Sequence, residues 1–178
     1  MKSDKSVDLL RRAIRDVKDF PKPGIVFKDV TPVLLEPALF GAAVKLMADP
    51  YRSARIDRVV SIESRGFLFG APIALELGAG LVPIRKPGKL PAATQRVEYA
   101  LEYGTDALEM HHDAVQAGDR VLVVDDVLAT GGTAKAAAQL VGGMGASVVG
   151  FTFLIELEFL KGRQRLQGRQ VEALLHYA

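Results

Sequence analysis

The sequence predicts an α/β protein: a central, mainly parallel sheet flanked by helices. Three observations carry this. First, Arg58-Val59-Val60-Ser61-Ile62, Gly80-Leu81-Val82-Pro83-Ile84 and Val121-Leu122-Val123-Val124 are short apolar runs without polar alternation, the pattern of strands buried on both faces. Second, helical patterns at residues 67–77 and 133–144 follow two of these runs, and such alternation implies parallel strands joined by right-handed crossovers. Third, the most polar and glycine-rich turns stand at the carboxyl ends of the runs, where ligands bind in open parallel sheets.

Taken in order, residues 6–18 read as a helix, with Ser6 as cap and Val7, Leu10, Ile14 and Val17 on one face. Phe20-Pro21-Lys22-Pro23-Gly24 stops it, because proline and glycine do not continue a helix. Residues 37–47 form a second helix with Pro37 in its first turn. Strands follow at 58–62, 80–84, 121–124 and 147–155, with 171–175 as a fifth candidate. An Ala-rich helix over 133–144 follows the glycine turn after the third strand. Residues 85–104 break the rhythm. They hold two prolines, two glycines and, in the first half, the three basic residues Arg85, Lys86 and Lys89. A stretch of this length inside a compact domain reads as a lid, and 98–108 as a hairpin around Gly104.

Composition narrows the function classes. With 178 residues, 49% apolar and 25% charged, the chain is expected to form one soluble domain and not a disordered one. A net charge of +2 gives no argument for a nucleic-acid partner. The absence of cysteine excludes disulfides and thiolate-held zinc or iron–sulfur clusters. Residues 1–18 are charged throughout and no run approaches the roughly 20 apolar residues of a membrane span, so a cytoplasmic location without a membrane partner is expected. His111 and His112 have no third ligand at metal spacing and read as surface strand residues.

The most informative segment is Val121-Leu122-Val123-Val124-Asp125-Asp126-Val127-Leu128-Ala129-Thr130-Gly131-Gly132-Thr133. A buried strand delivers two adjacent carboxylates, and a turn of small residues then opens a helix. Backbone N–H groups at such a turn, backed by the helix dipole, suit an anion. Carboxylates repel phosphate, so Asp125 and Asp126 need hydroxyl donors. A ribose 5-phosphate meets both requirements. No Gly-Lys-Ser/Thr is present, which excludes a P-loop, and the glycine spacing excludes a dinucleotide fingerprint. The turn alone also suits a plain strand-to-helix connection with acidic residues near the cap. Glu63-Ser64-Arg65-Gly66-Phe67 is a second anion turn, with one guanidinium and a glycine at a helix start; its plain reading pairs Arg65 with Glu63 in solvent.

The 121–133 segment closely resembles the phosphoribosyl pyrophosphate (PRPP) signature of the type I phosphoribosyltransferases, and its form is similar to that of the branch acting on adenine. Residues 20–29, 63–67 and 155–157 match the same branch, and the insertion over 85–104 resembles its mobile catalytic loop, with Glu102 and Tyr103 matching its Glu-Tyr-Gly. The resemblance implies the type I phosphoribosyltransferase fold in one domain over 1–178. A small hood would come from about 20–30 and 155–178, and a flexible catalytic loop from about 85–104. It implies that Asp125 and Asp126 bind the ribose hydroxyls, and that Ala129, Thr130, Gly131, Gly132 and Thr133 hold the 5-phosphate. Arg65, Lys86, Lys89 and Tyr103 would meet the rest of PRPP, with Arg65 on the pyrophosphate. Val26, Phe27, Lys28 and Leu157 would bind adenine, Lys28 standing where many relatives carry Arg. Glu102, Arg65, Asp125 and Asp126 are the implied catalytic residues, with Glu98 a weaker candidate for the duty of Glu102. The implied reaction turns PRPP and adenine into AMP and pyrophosphate. It would need Mg²⁺, held mainly by PRPP and water near Asp125 and Asp126 with no direct protein ligand. The implied assembly is a homodimer. Alternatives are a PRPP-binding regulator and a transferase for another base.

Overall fold

The structure, a computed structural model, describes residues 2–100 and 104–178. The chain divides into two compact units, residues 1–46 and 47–178. The first holds α1 (Lys2–Ala13), β1 (Arg15–Lys18), β2 (Val26–Asp29), the short α2 (Thr31–Leu35) and most of α3 (Pro37–Ala48). The predicted helix over 6–18 is therefore too long. Ile14 caps the hydrogen bonding to Leu10, and residues 15–18 turn into an antiparallel partner of β2. Two ion pairs close that ladder, Arg15 with Asp29 and Lys28 with Asp16. The Asp29 carboxylate also accepts the Thr31 amide and hydroxyl, and these two bonds, with Arg15 after them, lower its pKa to about 2.

The second unit holds β3 (Arg58–Ile62), α4 (Gly66–Leu77), β4 (Gly80–Ile84), β5 (Thr94–Ala100), β6 (Thr105–His111), β7 (Arg120–Leu128), α5 (Gly132–Gly143), β8 (Ser147–Leu157) and β9 (Gln170–Tyr177). Its main sheet runs β4-β3-β7-β8-β9, with all four pairings parallel. This is the predicted α/β sheet, and the apolar runs account for it. Val121, Leu122, Val123 and Val124 have no exposed surface, so both faces of β7 are covered. α5 packs on β5, β6, β7 and β8. Its buried side chains are mostly Ala134, Ala136, Ala137 and Ala138, whose small size lets the helix lie close.

Two sequence expectations change here. The expected hairpin over 98–108 is present but longer, because residues 94–97 are not irregular: β5 pairs antiparallel with β6 along its whole length, from Thr94 opposite His111 to Ala100 opposite Thr105. The strand alternates, with Val97 and Tyr99 against the core while Arg96 and Glu98 stand exposed. Among the described residues of the 85–104 stretch, the proline- and glycine-rich first half and Gly104 lie outside strands. The third strand also does not end at Val124. β7 continues to Leu128 because β8 accompanies it, through Asp125 opposite Phe153 and Leu128 opposite Glu156. β3 stops pairing with β7 at Val124. Asp125 and Asp126 thus lie inside β7, at the step where its β3 partner has turned away.

Candidate active site

The step between β3 and β7 brings the two anion turns together. After β3 the chain runs through Glu63, Ser64 and Arg65 into α4, whose first residue is Gly66. The Glu63–Ser64 peptide is cis. A Cβ at Gly66 would lie 2.8 Å from Oδ1 of Asp125 and 3.2 Å from the Val124 carbonyl. Glycine is needed there for α4 to begin against β7. The contact sets Arg65 beside the paired aspartates, with its Nε 2.7 Å from Oδ2 of Asp126. So Arg65 pairs with Asp126, not with Glu63.

The two aspartates have different surroundings. The Asp126 side chain is only 5% exposed and faces Arg65. Asp125 accepts the amide of Asp126 at 2.9 Å and lines a cavity of about 70 Å³ with Leu128, Ala129, Thr130, Gly131 and Thr133. Burial, and then the charge of Asp126, push Asp125 well above the usual carboxylate range. Burial also raises Asp126, and Arg65 pulls it partly back. The pair therefore holds a proton to higher pH than an ordinary aspartate. A hydroxyl donor or a cation is the ligand such a pair lacks.

Ala129, Thr130, Gly131 and Thr133 form a turn of small residues along the cavity, while Gly132, the first residue of α5, is not among its lining residues. Gly131 caps α5 with φ +78°, a conformation that favours glycine, and its carbonyl accepts from Lys135 at 3.0 Å. The loop opens an α-helix of 12 residues, so its amides and the helix dipole favour an anion.

The first turn is built from charged side chains. Glu63 is 6% exposed and accepts from Nε of Arg85 at 2.8 Å and Nζ of Lys89 at 2.9 Å. Burial alone would raise its pKa, but the bonds from Lys89 and Arg85 outweigh it and hold Glu63 below its usual value. Lys86 donates to the Tyr99 hydroxyl at 3.0 Å and to Asp106. Burial opposes its charge, yet the bond to Asp106 wins, so Lys86 is raised and Asp106 lowered. Lys86 and Lys89 both stand on the connection after β4, but Lys89 reaches the 63–66 turn and Lys86 reaches the β5–β6 hairpin.

Other expected residues stand on other elements. Val26, Phe27 and Lys28 lie on β2 in the first unit, where the Phe20 ring meets Phe27 edge-on at 5.1 Å and Lys28 reaches Asp16 at 2.7 Å. Leu157 is the last residue of β8. Glu98 is exposed on β5 and pairs with Arg96. Glu102 and Tyr103 lie outside the described residues. Sequence reasoning missed Arg85, Asp106 and Gly162. Arg85 was legible as one of three basic residues, but no spacing marks Asp106 or Gly162.

Comparison with known proteins now bears on this geometry. The profile described as phosphoribosyl transferase domain matches residues 31–169. An adenine phosphoribosyltransferase of Myxococcus xanthus (strain DK1622) is 58% identical over 168 residues, 94% of this chain and 91% of that protein. The crystal structure of adenine phosphoribosyltransferase from Thermoanaerobacter pseudethanolicus superposes with a TM-score of 0.94 at 50% identity, covering 96% of this chain and 99% of that one. The Saccharomyces cerevisiae enzyme, complexed with an imino-altritol bisphosphate and adenine, gives a TM-score of 0.92 at 40% identity, covering 97% and 99%.

Proposed function

The chain belongs to the phosphoribosyltransferase family, and on that premise we propose that it salvages purine by transferring the 5-phosphoribosyl group of PRPP to adenine, giving AMP and pyrophosphate. The observation that carries this is the step between β3 and β7. It sets a carboxylate pair between a loop of small residues and a turn carrying a guanidinium. That order of groups matches the order of 5-phosphate, ribose hydroxyls and pyrophosphate along PRPP.

In this reading the loop from Ala129 to Thr133 binds the 5-phosphate through N–H groups and the hydroxyls of Thr130 and Thr133. Asp125, partly exposed in the cavity, accepts from the ribose hydroxyls. Asp126 orients Arg65, whose charge holds the pyrophosphate as it leaves. As the C1–O bond breaks, the ribose gains positive charge and the two carboxylates stabilise it. The electron pair of that bond goes to pyrophosphate, and N9 of adenine forms the new bond to C1. Lys86 and Lys89 meet the pyrophosphate after exchanging their acidic partners for it. Glu102 handles the purine proton and Tyr103 contacts the donor. Val26, Phe27 and Lys28 contact adenine, and Leu157 is assigned to adenine separately.

Among the described residues, no cluster of three or more His, Cys, Asp or Glu side chains is placed to hold a metal. Two carboxylates beside a polyphosphate fit Mg²⁺, which accepts few protein ligands and keeps substrate oxygens and water. Asp125 and Asp126 are the residues nearest to it in this reading. Held near these two carboxylates, Mg²⁺ would supply neutralisation of the charge on the departing pyrophosphate. A cytoplasmic homodimer is the proposed state. Exposed leucines support self-association: Leu68 and Leu75 on α4 are 44% and 85% exposed, and Leu81 on the edge strand β4 is 43% exposed. No described helix is long and apolar enough to cross a membrane.

The test offers PRPP and Mg²⁺ with adenine, hypoxanthine, guanine, xanthine or orotate, each alone, and follows nucleotide and pyrophosphate together. AMP from adenine alone, abolished by a chelator, is expected. Saturable PRPP binding without product from any base would overturn the enzyme reading in favour of a regulator.

A further inference from the structure

We infer that Gly162, held by the Glu156–Arg163 ion pair, is a positioning residue for the 5-phosphate loop. The inference rests on the functional reading above only for the identity of the ligand. Its basis is a backbone-to-backbone contact. A Cβ built at Gly131 would lie 2.4 Å from the Gly162 carbonyl oxygen. A Cβ built at Gly162 would lie 2.1 Å from the Ala129 carbonyl oxygen and 2.9 Å from the Gly131 nitrogen. The loop and the segment after β8 therefore touch with no side chain between them. Gly162 does not line the cavity; it stands behind the loop and acts through it.

The segment that carries Gly162 is itself fixed. Residues 158–160 and 162–166 form two short 3₁₀ turns, joined by Lys161 in the left-handed region at φ +53°. The Lys161 amide donates to the Glu158 carbonyl at 2.9 Å and the Gln164 amide to the Lys161 carbonyl at 3.1 Å. Nε of Arg163 donates to both carboxylate oxygens of Glu156, at 3.0 and 3.2 Å, and its Nη1 donates to the Val171 carbonyl. Glu156 is 5% exposed and lies opposite Leu128 in the β7–β8 register. The clamp is thus anchored to the strand pair from which the loop departs. Leu166, buried in the core, closes the far end of the segment. A cradle of N–H groups binds an anion well only if it needs no rearrangement, and this contact is what fixes its back.

Gly162→Ala forces the two backbones apart. The expected result is a KM for PRPP about 10–100-fold higher, the scale of a misplaced binding group, with KM for adenine within about twofold. Calorimetry with ribose 5-phosphate and with inorganic pyrophosphate separates positioning from general damage. Ribose 5-phosphate affinity should fall by a similar factor while pyrophosphate affinity stays within about twofold. Arg163→Lys keeps the glycine and the charge but loses the planar fork, and is expected to shift ribose 5-phosphate affinity about 3–10-fold in the same direction; it carries the test if Gly162→Ala does not fold. Unchanged ribose 5-phosphate affinity in a folded variant, or equal losses for both ligands, would overturn the inference. A wild-type protein that binds pyrophosphate but not ribose 5-phosphate would instead sink the functional reading.

Discussion

The turn after β3 and the turn after β7 are the two proposed anion sites, but they are made differently. The first is a cluster of side chains. Arg65, Arg85 and Lys89 stand there, each already holding a carboxylate at 2.7 to 2.9 Å, and Lys86 is held nearby by Asp106. The second is a turn of small uncharged residues, capped by Gly131 in a left-handed conformation and backed by Gly162. A side-chain site keeps its charges neutralised until a ligand exchanges with the internal partners, so it tolerates a group that arrives and leaves. An uncharged turn has nothing to exchange and suits a group that stays bound through the reaction. In the proposed reaction, pyrophosphate departs and the 5-phosphate does not.

Four experiments break or sharpen that contrast. Arg65→Ala removes the cation and leaves Asp126 buried without its partner; kcat/KM should fall about 1,000-fold, near the upper range for loss of one preorganised donor. Steady-state rates within tenfold of wild type would refute the role of the first turn. Gly131→Ala should raise KM for PRPP about 100-fold through displacement of the loop, with less effect on pyrophosphate binding. Equal losses for both ligands would erase the distinction between the turns. Asp106→Asn removes the carboxylate partner of Lys86 without touching the second turn, and should lower KM for PRPP about 2–5-fold by removing an internal competitor. An unchanged KM would separate Lys86 from the donor site.

The smallest effects lie in pH-dependent stability, and they have opposite signs. Glu63 is held below its usual value, so its stabilisation is present above about pH 4.5 and is lost as pH falls through the lowered pKa. Glu63→Gln should therefore reduce Tm at pH 7, with the gap closing in acid. Asp125 is raised by burial and by Asp126, so its ionisation costs stability as pH rises above 3.8, and the cost is complete beyond the raised pKa. Asp125→Asn should raise the Tm of the unliganded protein at pH 8 by about 3–6 °C, the scale of relieving a functional-site penalty, while abolishing turnover. That gain should vanish toward pH 4. Thermal scans of both variants from pH 4 to 8 check the pair; parallel profiles would mean that the two turns do not differ electrostatically.

The sheet was legible because its strands are buried on both faces, so Val59-Val60 and Val121 to Val124 announce themselves without any partner in view. Strand ends were not legible. The length of β7 depends on β8 continuing to Leu157 beside it, which a local apolar count misses at the first aspartate. The strand character of residues 94–100 was present as alternation, but the prolines and glycines before it dominated the reading. The helix over 6–18 failed for a similar reason: Val17 keeps helical spacing, yet pairing with Phe27 makes it a strand residue. Both anion turns were found because their residue types carry chemistry. Gly162 was not, because its role lies in what a side chain there would strike.

The pairing of β7 also has a consequence for the order of assembly. Val59 of β3 pairs with Leu122, and Leu128 pairs with Glu156. The signature from Asp125 to Thr133 is therefore complete as sequence well before it is complete as a structure. It must be flanked by a strand made much earlier and another made afterwards, and its back wall comes from residue 162. These are long-range contacts, whose loop-closure cost makes them slow to form. A nascent chain that has just exposed the motif has not yet acquired its affinity; recognition of the sugar phosphate is a property of the finished sheet.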